Sequence, residues 1–157
     1  NRFSGAKVLH SKTNLVIDGL VDDIWENKKG EFLIVDYKST CTERKIDMND
    51  KWKQGYKRQM DIYQWIFKQL GFKVSNTGYF VYANADKNRP KFDAKLEFKV
   101  EIIAYKGNSD WVEPILIKIK HCLDSDTIPK PGVDDMGISC EYCDYKKLSA
   151  QTAARLQ

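Results

Sequence analysis

Asp36, Tyr37 and Lys38 follow directly on four consecutive apolar residues, Phe32 to Val35. A strand buried on both faces carries such a run. Side chains alternate along a strand, so Ile34, Asp36 and Lys38 share one face. A carboxylate and an amine are thereby held side by side where a buried strand emerges. That means an ion pair or a site, because buried charge is costly unless it is paired or metal-bound. A further acid, Asp22, lies in the preceding apolar segment, residues 14–25, flanked by Asp18 and Asp23. Asp22, Asp36 and Lys38, two carboxylates on adjacent strands plus one lysine, are the minimum for metal-assisted phosphodiester hydrolysis. Mg²⁺ takes oxygen ligands, acidifies a bound water and neutralises phosphoryl charge. A nearby ammonium orients that water and stabilises developing charge.

The elements that must position these groups follow from periodicity. Residues 7–12 are weakly patterned. Residues 14–25 read as one strand, in which Gly19 marks a bulge or a close backbone approach. Residues 26–30 form a turn, with Gly30 able to supply a positive φ. This strand and the one bearing Asp36 then make an antiparallel hairpin, which lets Asp22 lie near Asp36. Residues 41–50 are a polar loop. Trp52, Tyr56, Met60, Tyr63, Ile66, Phe67 and Leu70 recur at three- and four-residue steps, predicting a helix over 51–70 stopped by Gly71. Gln59 and Tyr63 share a face of it. A strand is expected over 74–83, with Tyr79, Phe80 and Tyr82 in the core. After a polar loop containing Pro90, a second strand over 95–103 alternates Leu96, Phe98, Val100 and Ile102 with charged residues, as when one face is wet. A helix over 111–123 would use Asp110 and Glu113 as a capping box, with Pro114 near its start. Residues 125–157 read as an irregular tail around the Cys140–Cys143 CxxC, with a short Ala-rich end that can turn helical.

The 157 residues suit a single domain with its own core, and the balance of 42% hydrophobic and 31% charged residues is that of a globular protein. A net charge of +4 permits a nucleic-acid partner without demanding one. No apolar stretch approaches the roughly 20 residues of a membrane span, and the start has no signal-peptide hydrophobic region. Four cysteines are too few for a disulfide scaffold, so a reducing, cytoplasmic setting is expected.

The ordered set Gly19-Leu-Val-Asp22, Asp36-Tyr-Lys38 and Gln59-Met-Asp-Ile-Tyr63 resembles the three successive motifs of the PD-(D/E)xK nuclease superfamily, above all its RecB-like exonuclease branch. Cys140-Glu-Tyr-Cys143-Asp-Tyr145 also resembles the end of that branch. The resemblance implies an α/β fold with a restriction-endonuclease-like core, a central mixed four-stranded β-sheet flanked by helices. It implies a Mg²⁺- or Mn²⁺-dependent deoxyribonuclease, exonuclease in preference to endonuclease, with DNA as substrate. By the same resemblance Asp22, chosen over Asp18 and Asp23 because it stands three residues after Gly19, binds the metal with Asp36 and the Tyr37 carbonyl. Lys38 positions or activates the attacking water. Gln59 and Tyr63 line the site and help place the DNA strand.

Two departures bear on that picture. The family's helix before the first strand often supplies a Glu or His ligand. It has no counterpart in residues 1–14, so either it lies upstream of Asn1 or the site is incomplete, with His10 as a poorly spaced substitute. The iron–sulfur cluster of some relatives needs four cysteines. Ser149 holds the place of one and Cys41 is out of position for another, so no cluster is expected.

Other readings stand beside this one. Asp36 and Lys38 can be a structural ion pair, and Gln59 with Tyr63 an ordinary buried polar pair. Lys51, Lys53, Lys57 and Arg58 suit a nucleic-acid backbone or a solvated face equally. Cys140 and Cys143 would be half of a zinc site, but no second Cys or His pair follows, so free thiols or a vestige are expected. The alternative function is a catalytically inactive nucleic-acid-binding module of the same fold.

Overall fold

The computed structural model describes residues 5–88, 93–133 and 137–155, so Pro90 lies outside the described residues. The elements are β1 (Ala6–His10), β2 (Leu15–Gly19), β3 (Asp23–Glu26), β4 (Phe32–Thr40), α1 (Gln54–Gln69), β5 (Thr77–Ala85), β6 (Phe98–Lys106), α2 (Val112–Leu123) and α3 (Glu141–Arg155). The chain forms two compact units, Asn1–Lys120 and His121–Gln157.

In the first unit, β1 and β2 pair as an antiparallel hairpin, and a second sheet has the order β3-β4-β5-β6. Strand β3 runs antiparallel to β4, with Asp23 opposite Val35. Strands β4 and β5 are parallel, with Lys38 opposite Tyr82. Strand β6 is antiparallel to β5. A parallel pair needs a long crossover, and α1 supplies it. This is the mixed four-stranded sheet of a restriction-endonuclease-like α/β fold, as the sequence leads one to expect.

Helix α1 buries Met60, Tyr63, Trp65, Ile66 and Phe67. They pack with Ile34 of β4, Phe80 and Tyr82 of β5, and Val112 and Leu116 of α2. The helix stops as expected. Gly71 adopts φ +87°, and the Phe72 N–H donates to the Phe67 carbonyl at 3.1 Å while their rings meet tilted, 5.7 Å apart. That is a Schellman ending with its hydrophobic contact. Gly30 likewise takes φ +67° in the β3–β4 turn.

Several expectations give way. Residues 14–25 are two strands, β2 and β3, split at Leu20–Asp22, and each pairs in a different sheet. The weakly patterned residues before them form β1. The helix over 51–70 begins as a 3-10 turn, Lys51–Lys53, and Trp52 leaves the apolar row to stand 91% exposed. The alternation in β6 points the other way: Val100 and Ile102 are 61% and 57% exposed, while Ile103 and Tyr105 are half-buried. Register is the cause. Ile103 lies opposite Phe80, whose side chain packs with those of α1, so cross-strand neighbours on that face must be Ile103 and Tyr105. Glu113 makes no capping box; it pairs with Lys12 and lies near His10.

In the second unit, the described residues 125–133 and 137–140 lie in no helix or strand apart from the bridge between Val133 and Ser139. Residues Glu141–Arg155 then form α3, so the CxxC sits at a helix start and the tail is not irregular throughout. Among the described residues no helix is long and apolar enough to cross a membrane.

One buried acid ties α1 to the rest of the first unit. Asp61 accepts the Tyr105 hydroxyl at 3.1 Å, the Asn108 N–H at 3.1 Å and the Trp111 indole N–H at 2.9 Å. Three donors are stranded if it is removed, each costing about 1–3 kcal/mol when buried and only part of that when water can enter. Asp61→Ala should therefore lower the unfolding free energy by about 2–4 kcal/mol in urea denaturation. A loss below about 0.5 kcal/mol, the range of a neutral surface change, would contradict the anchoring role.

Candidate active site

Strand β4 is driven into the core by Ile34 and Val35, both fully buried. Asp36 follows and is 2% exposed. The Lys38 ammonium, two residues along the same face, lies 2.5 Å from Asp36 Oδ2. Among the described residues no donor other than that ammonium reaches this oxygen. Burial holds the Asp36 carboxyl above the usual carboxylate range. The Lys38 ammonium pulls it down, and the charge of Asp22 pushes it up again. Burial and like charge together outweigh the ammonium, so the site accommodates further positive charge.

Asp22 reaches this point from the chain just before β3. Its Oδ2 accepts the Tyr37 N–H at 2.8 Å. Asp23 turns to the side chains instead. It accepts the Tyr37 hydroxyl at 2.7 Å, the Ile24 N–H at 2.8 Å and the Trp25 indole N–H at 3.0 Å. The Tyr37 bond, followed by the Ile24 N–H, holds the Asp23 carboxyl below its usual range; the same bond pushes the Tyr37 phenol up. Asp18 lies on β2, exposed, 3.9 Å from Lys7. Of the three acids, Asp22 is the one whose charge bears on Asp36.

Helix α1 closes the other side. The Lys38 ammonium donates to Gln59 Oε1 at 3.3 Å and lies 4.4 Å from the centre of the Tyr56 ring. Gln59 Nε2 donates to the Tyr63 hydroxyl oxygen at 2.8 Å; these two partners assign the amide's orientation. The Tyr63 ring in turn fills the space beside Gly19, where a Cβ would meet Tyr63 Cε1 at 2.5 Å. Gly19 is thus a close-approach glycine. It admits the ring that fixes the amide that holds the lysine. Asp22, Tyr37, Asp36, Lys38, Gln59 and Tyr63 are all brought into one neighbourhood.

His10 is not part of it. It is buried against Trp65, shares a 2.8 Å hydrogen bond with Thr13, and lies opposite Leu15, at the other end of the β1–β2 hairpin from Gly19. Two neighbours escaped the sequence. Tyr56 sits three residues before Gln59, a helical step that could have placed it. Tyr82 is directly across from Lys38 in β5. Its phenol is pushed up to about 12, by burial first and then by Tyr56, Asp36 and Asp50.

Among the described residues no three His, Cys, Asp or Glu side chains converge as a metal cluster. The hard-oxygen donors that do come together are Asp22 and Asp36, with the Tyr37 main chain between them. That set fits a cation such as Mg²⁺, which is commonly held by one or two carboxylates and completed by water and phosphate oxygens. It does not fit a soft metal.

Two consequences can be measured. Gly19→Ala should cost about 1–3 kcal/mol through overpacking, and much of that cost should vanish in a Tyr63→Ala background; additive losses in a double-mutant cycle would contradict the contact. Mg²⁺ or Mn²⁺ should raise the unfolding temperature, by about 2.7 kcal/mol of stabilisation at 100 times Kd, and Asp22→Asn or Asp36→Asn should remove the effect. A cation needs the ionised carboxylate. Burial holds the Asp36 carboxyl above the usual carboxylate range, so this stabilisation should fade on acidification at a higher pH than for an ordinary aspartate.

No curated protein and no solved structure matches the chain. A family model described as the PD-(D/E)XK nuclease superfamily matches residues 2–148, nearly the whole chain, and the protein therefore belongs to the PD-(D/E)XK nuclease superfamily.

Proposed function

We propose that the protein is a metal-dependent deoxyribonuclease of the RecB-like type, cleaving phosphodiester bonds of DNA by a metal-activated water, with exonuclease action favoured. The observation that carries this reading is the buried Asp36 carboxylate, flanked by Asp22 and by a lysine that α1 holds in place.

Asp22 and Asp36, with the Tyr37 carbonyl, are the residues that would hold Mg²⁺ or Mn²⁺. Such an ion supplies an acidified water and neutralises charge on the scissile phosphate. Lys38 positions that water and donates to charge developing on the phosphoryl oxygens. Gln59 and Tyr56 fix its ammonium, and Tyr63 fixes Gln59. The last two residues of the motif therefore act chiefly through Lys38, more than by touching the DNA strand. Tyr37, pinned through its hydroxyl by Asp23 and its N–H by Asp22, keeps the two acids in register. Four cysteines are too few for a disulfide scaffold, which supports a reducing, cytoplasmic setting.

The test is cleavage of single- and double-stranded DNA with Mg²⁺ or Mn²⁺. Lys38→Ala and Asp36→Ala should each lower the rate by at least about 100-fold, the loss typical for one group that stabilises transition-state charge. Tyr63→Phe keeps the ring beside Gly19 but loses the hydroxyl, and should cost about tenfold by loosening Gln59. Activity that survives both Lys38→Ala and Asp36→Ala would overturn the assignment. DNA binding without any cleavage would replace it with the non-catalytic module of the same fold.

A further inference from the structure

Residues 44–58, the end of the loop after β4 and the start of α1, contain Arg44, Lys45, Lys51, Lys53, Lys57 and Arg58 against two acids, Asp47 and Asp50. That excess of four positive charges equals the net charge of the whole chain. The remaining sequence is balanced overall, 20 cations against 20 acids, so this stretch carries an excess as large as that of the whole chain. In its middle stands Trp52, 91% exposed. An indole turned to water gains nothing for folding, since its apolar surface stays wet.

The backbone beneath that indole is braced. Lys53 Nζ donates to the Asp47 carbonyl at 2.8 Å and to Asp50 Oδ2 at 2.8 Å. The Asn49 N–H donates to Asp47 Oδ1 at 2.8 Å. Both acids are thus engaged within the segment, while Arg44, Lys45 and Arg58 are exposed. Trp52 lies in the 3-10 turn that leads into α1, and within α1 positions 56, 59 and 63 share one face. Tyr56, the first of these, is the ring over which the Lys38 ammonium lies. Trp52 therefore stands four residues along the chain from the ring that meets the Lys38 ammonium.

We propose that residues 44–58 form a binding platform for single-stranded DNA, with an unpaired base stacked on Trp52 and its backbone phosphates against the exposed cations. A braced aromatic face within a cationic stretch is how sequence-tolerant single-strand binding is built. A duplex cannot use it, because its bases are already stacked on each other. The inference rests on the nuclease reading for the direction in which the strand runs, from Trp52 towards Lys38. It does not rest on that reading for binding itself.

Binding is measured in EDTA, so that cleavage plays no part. The probes are a fluorescein-labelled oligothymidine and the same strand annealed to its complement, read by anisotropy and by quenching of tryptophan emission. The wild type should bind the single strand more tightly than the duplex. Trp52→Ala should weaken single-strand binding about 5- to 100-fold, lowering the ratio of single-strand to duplex affinity, and Trp52→Phe should restore most of it. Far-ultraviolet circular dichroism checks that each variant folds. Trp52→Ala binding single strands as the wild type does would overturn the proposal, as would a wild-type preference for duplex. If the wild type cleaves DNA and Trp52→Ala binds unchanged, this inference fails alone. If single-strand binding depends on Trp52 but no metal supports cleavage, the nuclease reading fails alone.

Discussion

The structure depends on one buried carboxylate. Asp36 emerges from a strand whose preceding residues are fully buried, and it stays buried itself. An ionised carboxylate in that position must be compensated. Lys38 supplies part of the compensation, yet burial and the charge of Asp22 still hold the Asp36 carboxyl up. A buried ion pair is weak evidence for stability, since desolvation can exceed the attraction. Here it comes with a second acid placed against it by a main-chain hydrogen bond. A purely structural pair would gain from keeping like charge away. The arrangement suits a cation site whose positive charge is part of the design.

Helix α1 has two tasks, on two faces. One face carries Tyr56, Gln59 and Tyr63 and fixes the Lys38 ammonium. Elsewhere on it Asp61, held by Tyr105, Asn108 and Trp111, anchors the helix to the chain beyond β6. The second task serves the first. A lysine side chain loses about 2 kcal/mol of rotamer freedom when it is held, and the amide that holds it is useful only if the helix does not shift. Gly19 belongs to the same chain of constraints, because the space left by its missing Cβ is filled by the Tyr63 ring. The first and third motifs are therefore one packed unit, although about forty residues separate them.

The sequence disclosed what depends on local pattern. Phe32 to Val35 marked a doubly buried strand, the apolar row from Tyr56 to Phe67 marked α1, and Gly71 marked its end. Order and spacing of Asp22, Asp36, Lys38, Gln59 and Tyr63 carried the family resemblance, and the fold links these side chains through Tyr37 and Lys38. What stayed hidden depends on pairing. The split of residues 14–25 follows from two different partners, β1 and β4, which no local pattern encodes. The facing of β6 follows from register with β5: Val100 and Ile102 looked like core, but Ile103 sits across from Phe80. Trp52 fitted the apolar row by spacing and left it because the helix begins one turn later. Tyr82 reaches the site across a parallel ladder, a relation with no trace in spacing.

The central claim is that Asp22 and Asp36 share a divalent cation while α1 holds Lys38 beside it. Anomalous diffraction from crystals soaked in Mn²⁺ tests this most directly. The account predicts a peak with oxygens of both Asp22 and Asp36 at about 2.1–2.2 Å, close to the distances of hard octahedral cations, and with Gln59 Oε1 still accepting from Lys38. An ion bound elsewhere, or crystals saturated with Mn²⁺ in which Asp36 remains paired with Lys38 alone, would contradict it.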